Sequence, residues 1–242
     1  MTTVEVKNLS FNYNGGPPLL RDISFSITKG EVFVIAGASG SGKTTLCRIL
    51  CGIIPHAFKG DLTGGISVID IDPSSVSLPQ ASLRAGMVFQ DADSQIICST
   101  VEDELAFGPE NFCNPREDIR RRVDELLLEF GFDELRYTNP SHLSDGQKKL
   151  LTIAAVLSTS PPVLILDEPM SGLDFESRDL VSAIIEKQKR QDRTVIIVEH
   201  DLETVTTADK WLLLDNGTIA ACDRPSEIMK DENKLRDLGV WA

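Results

Sequence analysis

Five short elements in fixed order could do chemistry together: Gly37-Ala38-Ser39-Gly40-Ser41-Gly42-Lys43-Thr44, Gln90, Leu143-Ser144-Asp145-Gly146-Gln147, Asp167-Glu168 and His200. The first fits the phosphate-binding pattern G-x-x-x-x-G-K-[ST]. Its glycines let successive backbone N–H groups turn inward around phosphate oxygens, where side chains would obstruct the approach. Lys43 adds a cation for the outer phosphates, Thr44 offers a hydroxyl to Mg2+, and Thr45 continues into a segment of helical character. Asp167 and Glu168 follow the apolar run Val163–Leu166, which places two acids where a sheet usually presents its ligand site. There Asp167 can hold Mg2+ through its water shell, and Glu168 can orient or deprotonate an attacking water.

These residues need a sheet behind them. Val4–Leu9 and Ile23–Ile27 read as half-exposed antiparallel strands, and Val32–Ala36 as a more buried one leading into the phosphate loop. Val163–Asp167, Thr194–Val198 and Trp211–Leu214 are apolar runs separated by helical patterns, which predicts a parallel sheet buried on both faces. Between about Thr100 and Leu157 the character turns helical. Asn114-Pro115 is expected to cap one helix and supply its first-turn proline, Ile119, Val123, Leu126, Leu127 and Phe130 form its apolar face, and Gly131 stops it. Arg120-Arg121-Arg122, with acids alongside, reads as a solvated helix face. The expected fold is α/β: a P-loop NTPase core with a mostly parallel sheet, an N-terminal antiparallel β subdomain and an inserted α-helical subdomain. One domain is expected over 1–242, the helical subdomain at roughly 91–158, and a short helical tail at roughly 225–240.

At 242 residues and 41% hydrophobic content the chain can bury a large core without staples. Five cysteines without paired Cys-x-x-Cys motifs suit a reducing compartment, and Cys47 and Cys51, at i, i+4, read as small core side chains. The start lacks a basic segment followed by an apolar stretch of signal-peptide length, and no run approaches the roughly 18 apolar residues of a membrane span, so a cytosolic chain is expected. A net charge of −13 argues against broad nucleic-acid binding.

Leu143–Gln147, taken with the phosphate loop, Leu166-Asp167-Glu168-Pro169 and Ser171-Gly172-Leu173-Asp174, closely resembles the nucleotide-binding domain of ATP-binding cassette (ABC) proteins over nearly the whole chain. The resemblance implies an ATPase with ATP and Mg2+ as ligands. It implies that Tyr13 stacks on adenine, that Gln90 links metal, water and the transporter contact, and that His200, in Glu199-His200-Asp201, contacts the γ-phosphate. Thr44, Gln90 and Asp167 then form the metal set. It further implies a head-to-tail dimer, in which Ser144, Gly146 and Gln147 bind the nucleotide held by a second ABC ATPase subunit, identical or different. Asp145 departs from the commonest family pattern, which has glycine there; a carboxylate suits a helix N-terminus but also stands near a partner's γ-phosphate.

A finer resemblance lies in Ile53–Gly60, Met87–Ile97 and Thr100–Asn111, which look like the ATPases of energy-coupling factor importers for vitamins or for cobalt and nickel ions. It implies an integral membrane coupling subunit, a substrate-capture subunit and a place on the cytoplasmic side of the membrane. A helix packed on the core is the plain alternative for Val101–Phe107. The alternative function is a non-transport ABC ATPase of translation, DNA repair or iron–sulfur assembly.

Overall fold

The computed structural model describes residues 1–200, 202, 205 and 207–240. Its elements run β1 (Thr2–Tyr13), β2 (Leu20–Thr28), β3 (Val32–Ala36), α1 (Lys43–Leu50), α2 (Ile53–His56), β4 (Gly60–Val68), α3 (Leu78–Ser82) and β5 (Ala85–Val88). Then come α4 (Val101–Asn111), α5 (Arg116–Phe130), α6 (Asp145–Ser158), β6 (Val163–Asp167), α7 (Phe175–Arg190), β7 (Thr194–Val198), β8 (Lys210–Asp215), β9 (Thr218–Asp223), α8 (Pro225–Ile228) and α9 (Glu232–Asp237).

Two sheets form. The larger has the order β5-β6-β7-β3-β8-β9, parallel except for the antiparallel edge strand β9. Every residue of β3, β6 and β7 is buried, as their unbroken apolar sequences require when helices cover both faces. The smaller sheet is antiparallel, in the order β2-β1-β4, and β2 alternates buried and exposed residues because only one of its faces meets the core. One hydrophobic cluster lies between this small sheet, α1 and one face of the large sheet; the other lies between the opposite face, α4–α7 and the C-terminal segment.

The expected α/β architecture is therefore present, with three strands added. β4, β5 and β9 lack a strong period-2 or apolar signal: β4 contains Thr63-Gly64-Gly65, and β9 is a half-buried edge. The expected Asn114 cap is corrected. α5 begins at Arg116 with Pro115 in the capping position and no side-chain cap, while the Asn114 amide donates to the Pro109 carbonyl at 3.0 Å. The five expected apolar residues of α5 are buried, and Gly131 ends the helix at φ 70°, where a side chain would be strained. Arg121 pairs with Asp118 and Arg122 with Glu125 on the exposed side; Arg122 also donates to the Leu157 carbonyl at 2.9 Å and so ties α5 to α6.

Strand order decides what meets. The chain leaves β5, β6, β7 and β3 at the same end of the parallel sheet, and these four strands are neighbours in space. Gln90 follows β5, Asp167 and Glu168 sit at the end of β6, Glu199 and His200 follow β7, and the phosphate loop follows β3.

Candidate active site

A cleft of about 600 Å3 is lined by Gly37, Ala38, Ser39, Gly40, Gly42, Lys43, Thr44, Thr45, Gln90, Glu168 and His200, with Leu19 and Gly239 at its margin. The loop geometry depends on glycine at specific points. A Cβ at Gly37 would lie 2.1 Å from the Leu214 carbonyl oxygen, and Gly42, at φ 104°, would drive a Cβ to 2.6 Å from Leu20. Only glycine lets β3 turn under β8 there and then start α1.

Lys43, the first residue of α1, is buried, and its ammonium donates to the carbonyls of Gly37 at 2.6 Å and Ala38 at 2.9 Å. Burial lowers its pKa, opposed by the nearby Glu168 and Asp167 carboxylates. Asp167 is 2% exposed; burial raises its pKa, and the Thr44 hydroxyl pulls the other way. Its Oδ1, like Ser41 Oγ, is buried without a hydrogen-bond partner among the described residues. Such orphaned atoms cost about 1–3 kcal/mol each, so the loop and the end of β6 are built to receive something polar.

Glu168 is joined to Gln90, whose Nε2 donates to Oε2 at 2.7 Å. His200 is exposed in the cleft lining, its Nδ1 3.8 Å from Glu199 Oε2; Asp201 lies outside the described residues. Tyr13, at the end of β1, is half-buried: it packs edge-on against Phe11, and its hydroxyl stands 3.2 Å from Thr45 Oγ1. Cys47 and Cys51 are fully buried. Burial pushes the Cys51 thiol up to about 12 and Cys47 well above its ordinary value, so both are inert packing groups.

The signature segment does not line this cleft. Ser144 caps α6: its Oγ accepts from the Gln147 amide at 3.2 Å, and Gln147 Oε1 accepts from the Ser144 amide at 3.0 Å. Asp145 projects into solvent with its side chain 99% exposed, and Lys148, which stands 4.0 Å away, bonds instead to Asp93 at 2.7 Å. Thus the structure gathers the phosphate loop, Gln90, Glu168 and His200, and holds Ser144, Gly146 and Gln147 elsewhere.

Sequence reasoning missed two charged residues beneath the site. Lys149 is buried behind Gln90 and Glu168, and burial lowers its pKa against the pull of Glu199, Glu168 and Asp167. Glu199 is 1% exposed; burial pushes its pKa up to about 6, while its Oε1 accepts from the Met170 amide at 3.2 Å. The available signal was a charge set against apolar runs, Lys149 before Leu150-Leu151 and Glu199 after Val195–Val198.

Residues 20–171 match the ABC transporter family. The energy-coupling factor transporter ATP-binding protein EcfA of Methanosarcina acetivorans is 37% identical over 238 residues, covering 98% of this chain and 85% of that protein. A relative from Lactobacillus johnsonii, named for ATP binding in an ABC transporter, is 40% identical over 241 residues, yet the chain spans only 42% of its length. Among solved structures, cbiO1 of Clostridium perfringens, part of the ABC transporter complex cbiONQ, superposes with a TM-score of 0.83 at 34% identity over 98% of this chain and 94% of that one. With the phosphate loop, the acids of β6 and a separate capped signature helix in one chain, this protein belongs to the ABC transporter family.

Proposed function

We propose that this chain powers an importer of the energy-coupling factor type, taking up a vitamin or a transition-metal ion. The observation that carries the reading is the convergence of four neighbouring strand ends on one cleft, with Lys43, Thr44, Gln90, Glu168 and His200 in its lining. ATP enters with its phosphates on the N–H groups of Gly37–Thr45 and on Lys43, and its adenine against Tyr13. Glu168, held by Gln90, orients and deprotonates the attacking water, and His200, also in the lining, reaches the γ-phosphate.

Thr44, Gln90 and Asp167 would hold Mg2+, which when bound neutralises charge on the phosphates. The buried, unpartnered Asp167 Oδ1 suits a cation held through water. Among the described residues no group of three His, Cys, Asp or Glu could hold a metal unaided. A site of few protein ligands completed by phosphate oxygens is the usual arrangement for this ion.

The separation of Ser144, Gly146 and Gln147 from the cleft supports a head-to-tail dimer with a second ABC ATPase, each signature closing the other subunit's nucleotide. The Ser144 oxygen accepts within its capping box, which leaves its proton to donate to a phosphate. Among the described residues no helix is long and apolar enough to cross a membrane. As in an energy-coupling factor importer, the chain works at the cytoplasmic face, against a membrane coupling subunit that is joined in turn to a substrate-capture subunit; nucleic acid has no part in it.

The surface for that subunit is the segment from Gln90 to Asn111. Glu104, buried in α4, accepts from the Ile97 and Cys98 amides at 3.0 and 2.8 Å, so the segment is ordered from below. Ile97 is 64% exposed and Phe107 lies in the open, whereas Ile96 packs against the core. Ile97→Ser should therefore leave folding and basal hydrolysis intact while the membrane subunit is lost on purification from membranes. Unchanged copurification and transport would remove this surface from the reading, and copurification with ribosomal, repair or iron–sulfur proteins would replace the importer assignment.

A further inference from the structure

Lys149 lies two residues beyond Gln147 on α6 with a side chain only 5% exposed. Its ammonium donates to the Glu168 carbonyl and stands 3.5 Å from the Gln90 carbonyl. Both carbonyls belong to residues whose side chains face the cleft and bond each other. Glu168 itself occupies the left-handed region, at φ 50°, which costs a residue other than glycine energy and persists only where the surroundings over-determine it. Each of its polar ends is engaged. The amide donates to the Val198 carbonyl at 2.9 Å, the carboxylate accepts from Gln90, and the carbonyl accepts from Lys149 and, at 3.3 Å, from the Ser171 amide of the following turn. The first hold comes from β7 and the second from the segment after β5; that of Lys149 comes from the helix whose first turn is the signature.

We propose that Lys149 is a positioning residue for ATP hydrolysis, fixing the backbone of Glu168 and Gln90 from α6 so that the carboxylate meets water at the right angle. A lysine suits this task because its long apolar stem crosses from α6 to the end of β6 while its head carries several donors, and Glu199 supplies the nearby opposite charge. A displacement of α6 when its first turn engages a partner's nucleotide would be transmitted through one buried ammonium to both catalytic-loop carbonyls. The proposal rests on the reading of Glu168 as the group that acts on water.

The test is steady-state ATP hydrolysis by the full chain with Mg2+, for Lys149→Met, Lys149→Arg and Glu168→Gln in parallel, with ATP affinity and melting temperature measured on the same samples. Lys149→Met keeps the stem and removes the ammonium. Its kcat should fall about 100-fold, the scale of a small misplacement at a reacting centre, with KM within about threefold. Lys149→Arg, which keeps the charge and donors, should recover at least a tenth of the lost rate. Normal kcat in Lys149→Met, alongside an inactive Glu168→Gln, overturns the positioning role and leaves the Glu168 reading standing. Active Glu168→Gln removes the reading on which the proposal rests. Equal losses in the Met and Arg variants, with raised KM and lowered melting temperature, mark Lys149 as packing alone and also overturn it. Should Lys149→Met fail to fold, Lys149→Gln, with a donor on a shorter arm, is judged by the same criteria.

Discussion

At the phosphate loop, Ser41 Oγ and Asp167 Oδ1 are buried without partners among the described residues, whereas at the start of α6 Ser144 and Gln147 satisfy each other. The first region is under-satisfied in isolation and gains by taking up a polar ligand. The second is held rigid by its own capping box and offers the outside a hydroxyl proton, a helix N-terminus and one exposed carboxylate. On the proposed function, chemistry and recognition are thus separated within one chain. The cleft that gathers Lys43, Thr44, Gln90, Glu168 and His200 lacks the signature, which lies on a separate surface closed by its own capping box.

The sharpest way to break this division is at Glu168, the carboxylate proposed to act on water. Glu168→Gln keeps a polar side chain opposite Gln90 but removes its basicity, so turnover should fall about 1000-fold, within the range of general-base catalysis, while ATP still binds and the dimer is trapped. Phosphate release near the normal rate would show that the base lies elsewhere. Next in size is Lys43→Ala. Because the Lys43 ammonium already lies buried at the loop carbonyls, its loss should weaken ATP binding by about 10- to 100-fold, the worth of a charged hydrogen bond, in titration calorimetry. Unaltered affinity would mean that the loop amides suffice.

Much of this was legible in the residues. β3, β6, β7 and β8 announce themselves because strands buried on both faces must be apolar throughout, and the phosphate loop announces itself because few residue types permit its backbone. β4 and β9 were not legible: their ladders are edges whose side chains are small, polar or half-exposed, so pairing partners rather than composition make them strands. Lys149 and Glu199 escaped for a related reason. Single charges beside apolar runs carry no period, and their meaning depends on β6 and β7 being neighbours, which only the strand order reveals.

Glu199 sharpens the comparison from beneath the cleft, where His200, Glu168 and Lys149 are the ionisable side chains beside it. Its pKa stands at about 6 in the folded chain against an ordinary 4.5, so between those values the folded state binds more proton than the unfolded one. Stability should therefore fall as pH rises through this window, by about 2 kcal/mol from this residue, and Glu199→Gln should remove that component. Urea unfolding of both proteins at pH 4.5 and 6.5 measures it; an identical loss of stability in both would show that Glu199 does not carry it.

The smallest effect tests the recognition region on its own. In the isolated chain Asp145 does little: its carboxylate is solvent-exposed, and the cation nearest to it is committed to Asp93. It gains at most a modest interaction with the N-terminus of α6, so Asp145→Gly should leave the melting temperature almost unchanged. In the proposed head-to-tail dimer the same carboxylate would stand beside another subunit's triphosphate. Two like charges near a surface repel by about 1 kcal/mol or more at close range, so the substitution should tighten ATP-driven dimerisation about fivefold in a background where Glu168→Gln blocks hydrolysis. The gain should shrink as salt rises, because screening removes the repulsion it relieves. Sedimentation equilibrium in Mg-ATP at low and high salt separates the two roles. An unchanged dissociation constant, together with a lowered melting temperature, would make Asp145 a helix cap with no part in sensing the partner's nucleotide.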